Sequence, residues 1–344
     1  MHSDIMAHKN SRRWSFLTIS CLAFILITVL SFSLLGTGCK SSEPKAQLAK
    51  FQINADGSYD VIDISGYKLH FAHPPKRVVT LTTSSTEIVL DLLPPERIAA
   101  LCIYADDPGI SCVVEKAKRV SNRVRANDVE LLLKLKPDLI LAPSWLGNEI
   151  LASMRDMKLP VFVYNEPVTI EEIANNVLFV SKLVREENKG QQIVDDMQKR
   201  LQNVKGAVNK VPKKQQVKLV ALSYMGAFGS KGTTFYDMCK YVNVFNCVGE
   251  AGISDKENVS KEMIVTMNPD VLLIPSWNFG EIQKGAEFKK NIMHDHAYRE
   301  IRAVKDNRVY QIQDKYIYST SHYVINGIED MAADIYPQYY SKGK

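Results

Sequence analysis

Pro143-Ser144-Trp145 and Pro275-Ser276-Trp277 put two indoles at the same point of two similar stretches, and Trp14 is the only other tryptophan. Each follows a short apolar run, Leu139 to Ala142 or Val271 to Ile274, so each is expected at the exit of a buried strand. Indoles in such loops suit stacking on a flat macrocycle or aryl chelate with large apolar faces, whereas indoles in a core only pack. Thr83 and Ser84 leave the run Arg77 to Leu81 in the same way and can donate hydrogen bonds. Ser223 to Gly229 leaves the run Val217 to Leu222 and carries Tyr224, Met225 and Phe228. It either lines a cleft or folds back as a hairpin. No GxSxG, HExxH, paired-acid motif or phosphate-binding glycine–lysine loop accompanies these residues. Glu87 and Asp91 share a helix face, but that spacing is common. The pattern is that of a binder, not an enzyme; a cell-surface hydrolase is the weaker reading.

The elements around these residues repeat. At a constant offset of 132 positions, Glu130 falls on Glu262, Pro137-Asp138 on Pro269-Asp270, and Glu149-Ile150 on Glu281-Ile282. Nine of the 21 positions from 130 to 150 agree without a gap, which points to two copies of one unit. Each copy reads as a short helix, capped by Asn127 or Asp128 in the first, then Pro-Asp, then a continuous apolar strand. That alternation implies a parallel sheet covered on both faces, with ligands beyond the carboxyl ends of the strands. Thr86 is expected to open a helix running to Leu92, and Phe51 to Asn54 with Tyr59 to Asp63 form a hairpin pattern around 55–58. Ile170, Ile173, Val177, Val184, Ile193, Met197, Leu201 and Val204 keep a helical stripe through a segment between the copies, with Asn188 to Gly190 as a point of interruption.

His8, Lys9, Arg12 and Arg13 precede an apolar segment, Trp14 to Leu35, then Gly36-Thr37-Gly38 and Cys39. A basic start, an apolar run and small residues read as a secretory signal, and the cysteine resembles the lipidated residue of a bacterial lipobox, with Gly36 in place of the usual leucine. An uncleaved membrane anchor is the alternative; both put the remainder outside the cytoplasm. Of the other cysteines, Cys102 with Cys112 and Cys239 with Cys247 form two close pairs, expected as local disulfides or else as free buried thiols. No CxxC or histidine cluster suggests bound zinc, and no intrinsic cofactor is expected. The net charge of +5, without a basic run interleaved with aromatics, speaks against nucleic acid.

Arg77-Val-Val-Thr-Leu with Thr86-Glu87-Ile88, Leu135-Lys136-Pro137-Asp138-Leu139-Ile140 and Val259-Ser260-Lys261-Glu262 together resemble the helix-linked class of ABC-importer binding proteins, over about residues 51 to 342. That family carries cobalamin, haem and ferric siderophores, so the implied ligand is an iron or cobalt chelate. The resemblance implies an α/β fold of two Rossmann-like lobes with parallel sheets, joined by one long rigid helix, with the ligand cleft between them. It divides the chain into a signal (1–38), lipidated tether (39–50), N-terminal lobe (51–168), connecting helix (169–212) and C-terminal lobe (213–344). It implies that Glu130 and Glu262 dock on arginines of a permease dimer; acids in a first helical turn also simply meet the helix dipole, by about 0.3–1 kcal/mol. Tyr104 resembles the cleft tyrosine of cobalamin-binding members. Where those carry a tryptophan before the docking acid, this chain has Asn122-Arg123-Val124-Arg125, and Arg123 in a cleft suits an anionic chelate. Tyr224, Met225, His294, His296 and His322 are the side chains able to ligate haem iron. The expected protein is a monomeric, lipid-anchored binder outside the cytoplasm, and a sensor or adhesin on the same fold is the alternative.

Overall fold

The computed structural model describes residues 50–254, 257–277 and 282–342. The chain divides into two units, Met1–Gln47 and Leu48–Lys344, of which the second is described here. The segment expected to be a secretory signal, Cys39 and the expected tether as far as residue 49 lie outside the described residues. Among the described residues, no helix is long and apolar enough to cross a membrane.

The second unit begins with an antiparallel sheet of β1 (Lys50–Ile53), β2 (Tyr59–Ile62) and β3 (Lys68–Phe71). β1 and β2 are the expected hairpin; Asp56 closes its turn by accepting from the amide and hydroxyl of Ser58. Tyr59 stacks between Phe51 and Phe71 at 5.1 and 5.0 Å, and its hydroxyl donates to the Leu183 carbonyl, fastening the sheet to the first lobe.

The first lobe follows as β4 (Val78–Thr80), α1 (Thr83–Leu92), β5 (Ile98–Cys102), β6 (Arg123–Val124), α2 (Val129–Leu135), β7 (Leu139–Pro143), α3 (Asn148–Asp156) and β8 (Val161–Tyr164). Its five strands lie in the order β6-β5-β4-β7-β8, every neighbouring pair parallel. Leu139 and Leu141 of β7 enter the core on one face of the sheet, Ile140 and Ala142 the core on the other. An unbroken apolar run is what a strand covered on both sides requires. α1 begins at Thr83, three residues before the expected start, because Thr82 caps it: its hydroxyl accepts from Ser85 N while the Ser85 side chain reaches back to Thr82 N.

The segment between the lobes is two helices, α4 (Ile170–Leu183) and α5 (Glu187–Val208), and not the continuous helix 169–212. The break falls at 184–186, with Arg185 at φ 60°. Ile170 and Ile173 share a core with Met197, Val204 and Val208, whereas Val177, Val180 and Leu183 share the other lobe's core with Val194. The two helices therefore run antiparallel, both spanning from lobe to lobe, and α5, at 22 residues, is the longer.

The second lobe is β9 (Lys218–Ser223), β10 (Gly226–Phe228), α6 (Thr234–Tyr241), β11 (Phe245–Asn246), α7 (Lys261–Met267), β12 (Val271–Ile274), α8 (Ile282–His294), β13 (Val309–Gln311) and α9 (Val324–Ile335). Its sheet runs β10-β9-β12-β13, with β11 also on β9; only β10 is antiparallel. The internal repeat has a mechanical cause. α2 and α7 both end in a left-handed residue, Lys136 at φ 45° and Asn268 at φ 44°. The aspartate of each Pro-Asp then caps the neighbouring strand: Asp138 accepts from Lys76 N and Arg77 N at 2.6 and 2.8 Å, Asp270 from Lys218 N at 2.9 Å. The side chains of those strand residues return the contact, Arg77 to the Leu135 carbonyl and Lys218 to that of Met267.

Gly190 of α5 lies against Ser181 of α4, where an added Cβ would stand 2.1 Å from the serine oxygen. In an isolated helix Gly→Ala stabilises by about 1 kcal/mol. Here Gly190→Ala is expected to lower the unfolding free energy by about 1–3 kcal/mol, because the helix pair must splay; urea unfolding reads the sign directly.

Candidate functional site

The carboxyl ends of the two sheets face each other across a cavity of about 430 Å3. The first lobe contributes Thr83, Ser84 and Glu87 from α1 with Gly109 and Ile110 from the loop after β5, and the second contributes Ser223 to Met225, Pro275 with Trp277, Asp314 with Lys315, and Tyr318 to Thr320. Two walls follow from local sequence. β9 and β10 are a hairpin whose tip is Tyr224-Met225, with Gly226 at φ 127°, so the two roles weighed for this loop are one: it is a hairpin and it lines the cleft. Met225 is 95% exposed at the rim. Opposite, the Trp277 indole lies across Gly109 so closely that a Cβ there would stand 2.0 Å from the ring, and only glycine accommodates it.

At the base of the cavity, acids of the first lobe meet hydroxyls of the second; Glu87 is in the lining, and Glu166 and Asp91 stand outside it. Glu87 is 2% exposed; one oxygen accepts from Cys112 N at 2.8 Å and the other binds the Ser321 hydroxyl. Burial pushes its carboxyl above the ordinary glutamate value. Glu166, just after β8, accepts from Thr320 at 2.9 Å and Ser84 at 3.2 Å, and burial raises it too. Asp91, one turn beyond Glu87, takes His322 at 2.7 Å, the Tyr323 hydroxyl at 2.8 Å and the Lys116 ammonium. Burial pulls Asp91 upward, but hydrogen bonds from His322, Lys116 and Tyr323 outweigh it and hold the carboxyl below the usual aspartate value. Ser319 to Tyr323 thus latches the two lobes together directly beneath the cavity. Asp314 sits on the second-lobe side, accepts from Ser276 N at 3.0 Å, and is raised by burial.

Of the residues singled out from sequence, Thr83, Ser84, Tyr224 and Trp277 line this cavity. Trp145 does not: it is 65% exposed in the turn Ser144–Leu146. Tyr104 is 49% exposed on the turn Ile103–Asp106 and lies outside the lining. Arg123 does not face the cavity; its guanidinium is spent on Asp106, both contacts at 2.7 Å, and on the carbonyls of Ala117 and Val120. Glu130 and Glu262 are exposed in the first turns of α2 and α7. Asp128, the residue before α2, caps nothing ahead of it and instead accepts from Arg125 N. Neither expected disulfide forms: Cys102, Cys112, Cys239 and Cys247 are free thiols. Cys102 faces Thr83, whereas Cys112 faces the Lys315 carbonyl, so the first pair looks in different directions. His294 turns back onto the Lys290 carbonyl, His296 is exposed, and His322 belongs to the latch. Among the described residues, no group of three or more His, Cys, Asp or Glu could hold a metal ion. Sequence reasoning passed over Gly109, Glu166, Asp314 and 318–320, which carry no motif; the spacing of Glu87 and Asp91 was the one available signal.

A raised carboxyl gives a signed pH dependence. Folded Glu87 holds its proton more tightly than the unfolded chain does, so its stabilisation is complete below the ordinary value of 4.5 and is lost as pH rises through the folded value. Glu87→Gln keeps an acceptor for Cys112 N, places an amide donor where Glu87 accepts from the Ser321 hydroxyl, and does not titrate. Its stability relative to wild type is expected to rise as pH climbs above the ordinary glutamate value of 4.5, measured by thermal unfolding across a pH series.

The geometry agrees with known proteins. The family model described as periplasmic binding protein matches residues 78–316. An ABC transporter substrate-binding lipoprotein of Bacillus subtilis, YvrC, is 23% identical over 309 residues, covering 88% of this chain and 91% of the relative. A vitamin B12-binding protein of Vibrio parahaemolyticus is 24% identical, covering 74% of this chain and 87% of its own length. The apo structure of the periplasmic haem-binding protein RhuT from Roseiflexus sp. RS-1 superposes with a TM-score of 0.64 at 19% identity, over 76% of this chain and 98% of that one. Two α/β lobes, a two-helix link and a cavity between the strand ends, with a family match over most of that architecture, place this chain in the periplasmic binding protein family.

Proposed function

We propose that the protein captures a metal chelate outside the cytoplasm and delivers it to an ABC importer, without chemistry of its own. The observation that carries this reading is the cavity between the lobes, walled by Trp277, Tyr224 and Tyr318 and floored by hydroxyls and acids from both lobes. Large aromatic walls with a few convergent polar groups suit a chelate with broad apolar faces. The relatives are named as binding proteins and a transporter lipoprotein, which supports capture over turnover. The two-helix link and the latch beneath the cavity favour small closure over a wide hinge motion. In this reading Cys39 carries the lipid anchor, and Glu130 and Glu262 meet the permease: they stand exposed at the starts of two helices related by the internal repeat. The Ser260 hydroxyl and the amide of Glu262 itself hold the Glu262 carboxyl below its usual value, so it presents full charge.

Two measurements test this. Titration of the soluble chain with haem, cyanocobalamin and ferric siderophores is expected to quench tryptophan fluorescence saturably with one of them, and Trp277→Phe is expected to weaken that binding while Trp145→Phe leaves it unchanged. Equal loss in both variants, or in neither, moves the site away from this cavity. The double charge reversal Glu130→Arg with Glu262→Arg is expected to abolish uptake in cells while the purified protein binds as before; intact uptake removes the docking role from these two acids, whereas a wild-type chain that binds ligand but supports no uptake is a sensor or adhesin.

A further inference from the structure

The cavity carries a charge preference, and this inference rests on the reading of that cavity as the ligand site. The N-terminus of α1 opens onto it: Thr83 and Ser84 are the first two helical residues, and no acid stands in that first turn. A helix start with free amides and hydroxyls is ordinarily a seat for an anion. Here that start is already engaged: the Thr82 hydroxyl accepts from the Ser85 amide, and a carboxylate holds the Ser84 hydroxyl. Glu166 reaches from the loop after β8 and accepts from Ser84 at 3.2 Å and, across the cleft, from Thr320 at 2.9 Å. Glu87 follows one turn along the same helix and Asp314 stands opposite, so acids of both lobes border the floor. Among the described residues that line the cavity, Lys315 is the only basic one. The arginine that sequence reasoning offered for an anionic ligand, Arg123, is consumed by Asp106 and by backbone carbonyls.

We infer that Glu87 and Asp314 in the cavity lining, with Glu166 held on the Ser84 hydroxyl at the start of α1, make this cleft select neutral or cationic chelates rich in hydrogen-bond donors and reject anionic ones. An incoming anion meets like charge in a water-poor cavity or forces these carboxyls to take up protons, and juxtaposed like charges at an interface are strongly unfavourable. A ligand with amide or ammonium donors meets acceptors instead. Chelates with free carboxylates or several phenolates are therefore the disfavoured class. The three acids are specificity residues: they discriminate by charge and do not hold the metal.

The test compares twins that share a scaffold and differ in charge. Cyanocobalamin is set against its monocarboxylates, in which one side-chain amide is an acid, and haem against its dimethyl ester. Ferrioxamine B is set against its N-acetyl and N-succinyl forms, which step from cation to neutral to anion. Dissociation constants are measured by equilibrium dialysis. For any scaffold that binds, the anionic twin is expected to bind at least about tenfold more weakly than the neutral or cationic twin, the effect of one desolvated like-charge contact. Glu166→Gln is expected to shrink that ratio to within about threefold by improving the anionic twin. Asp314→Asn, whose carboxyl makes no contact in the latch, is expected to move it in the same direction, which guards against a folding defect in the first variant. Binding with equal or better affinity for the anionic twin overturns the charge preference and leaves the binding role standing. A ratio that neither variant changes overturns the assignment to these acids. Absence of binding by every scaffold in every charge form overturns both.

Discussion

Burial of first-lobe carboxylates against second-lobe hydroxyls is the constraint on which the rest of the site depends. Glu87, Asp91 and Glu166 meet Ser321, His322 with Tyr323, and Thr320, so one five-residue segment ties down three acids. An acid left unpartnered at such depth would be costly, and truncating one partner of a buried charged contact is strongly destabilising. The lobes can part only by exposing these groups to water together. The latch sits directly under the cavity, and Thr320 and Glu87 belong to both, so whatever enters the cleft presses on the device that sets the angle between the lobes.

The packing around the latch serves the same end. α4 and α5 each bury one end in either lobe's core, which replaces a single swivel by two crossing struts. Gly190 against Ser181 lets the struts approach near their turn, and Gly109 under Trp277 lets the second lobe's indole lie on the first lobe's backbone. At both places the missing Cβ permits a contact that any other residue would hold apart.

The repeated Pro-Asp shows a sequence motif acting through geometry. Proline helps to stop the helix after a left-handed residue, and the aspartate then satisfies the amides at the start of the neighbouring strand. Both lobes need this junction, so both retain it, and it accounts for a good part of the internal similarity. The tryptophans of the same repeat are a different matter. Backbone equivalence brings each to the exit of its strand, but Trp277 crosses to the other lobe while Trp145 points to solvent. Equivalent positions in two lobes are not equivalent relative to a cleft that lies between them, because side-chain surroundings there come from the partner lobe.

The sequence by itself determined what is local or periodic. Continuous apolar runs gave parallel strands buried on both faces, the offset repeat gave two similar lobes, and the helix ending at Leu92 was legible, although the Thr82 cap starts it at Thr83 and not at Thr86. These depend on near neighbours in the chain, where side-chain period and capping chemistry leave few alternatives. Only the tertiary structure decided the rest. Arg123 read as a free cation is neutralised by Asp106, seventeen residues earlier; Cys102 and Cys112 face different partners; the connecting helix breaks at 184–186. Glu166, Asp314 and Thr320 join the site from segments with no motif at all. Their roles arise from pairings across 38 to 154 residues of chain, and such pairings exist only once both cores have formed and brought their strand ends face to face.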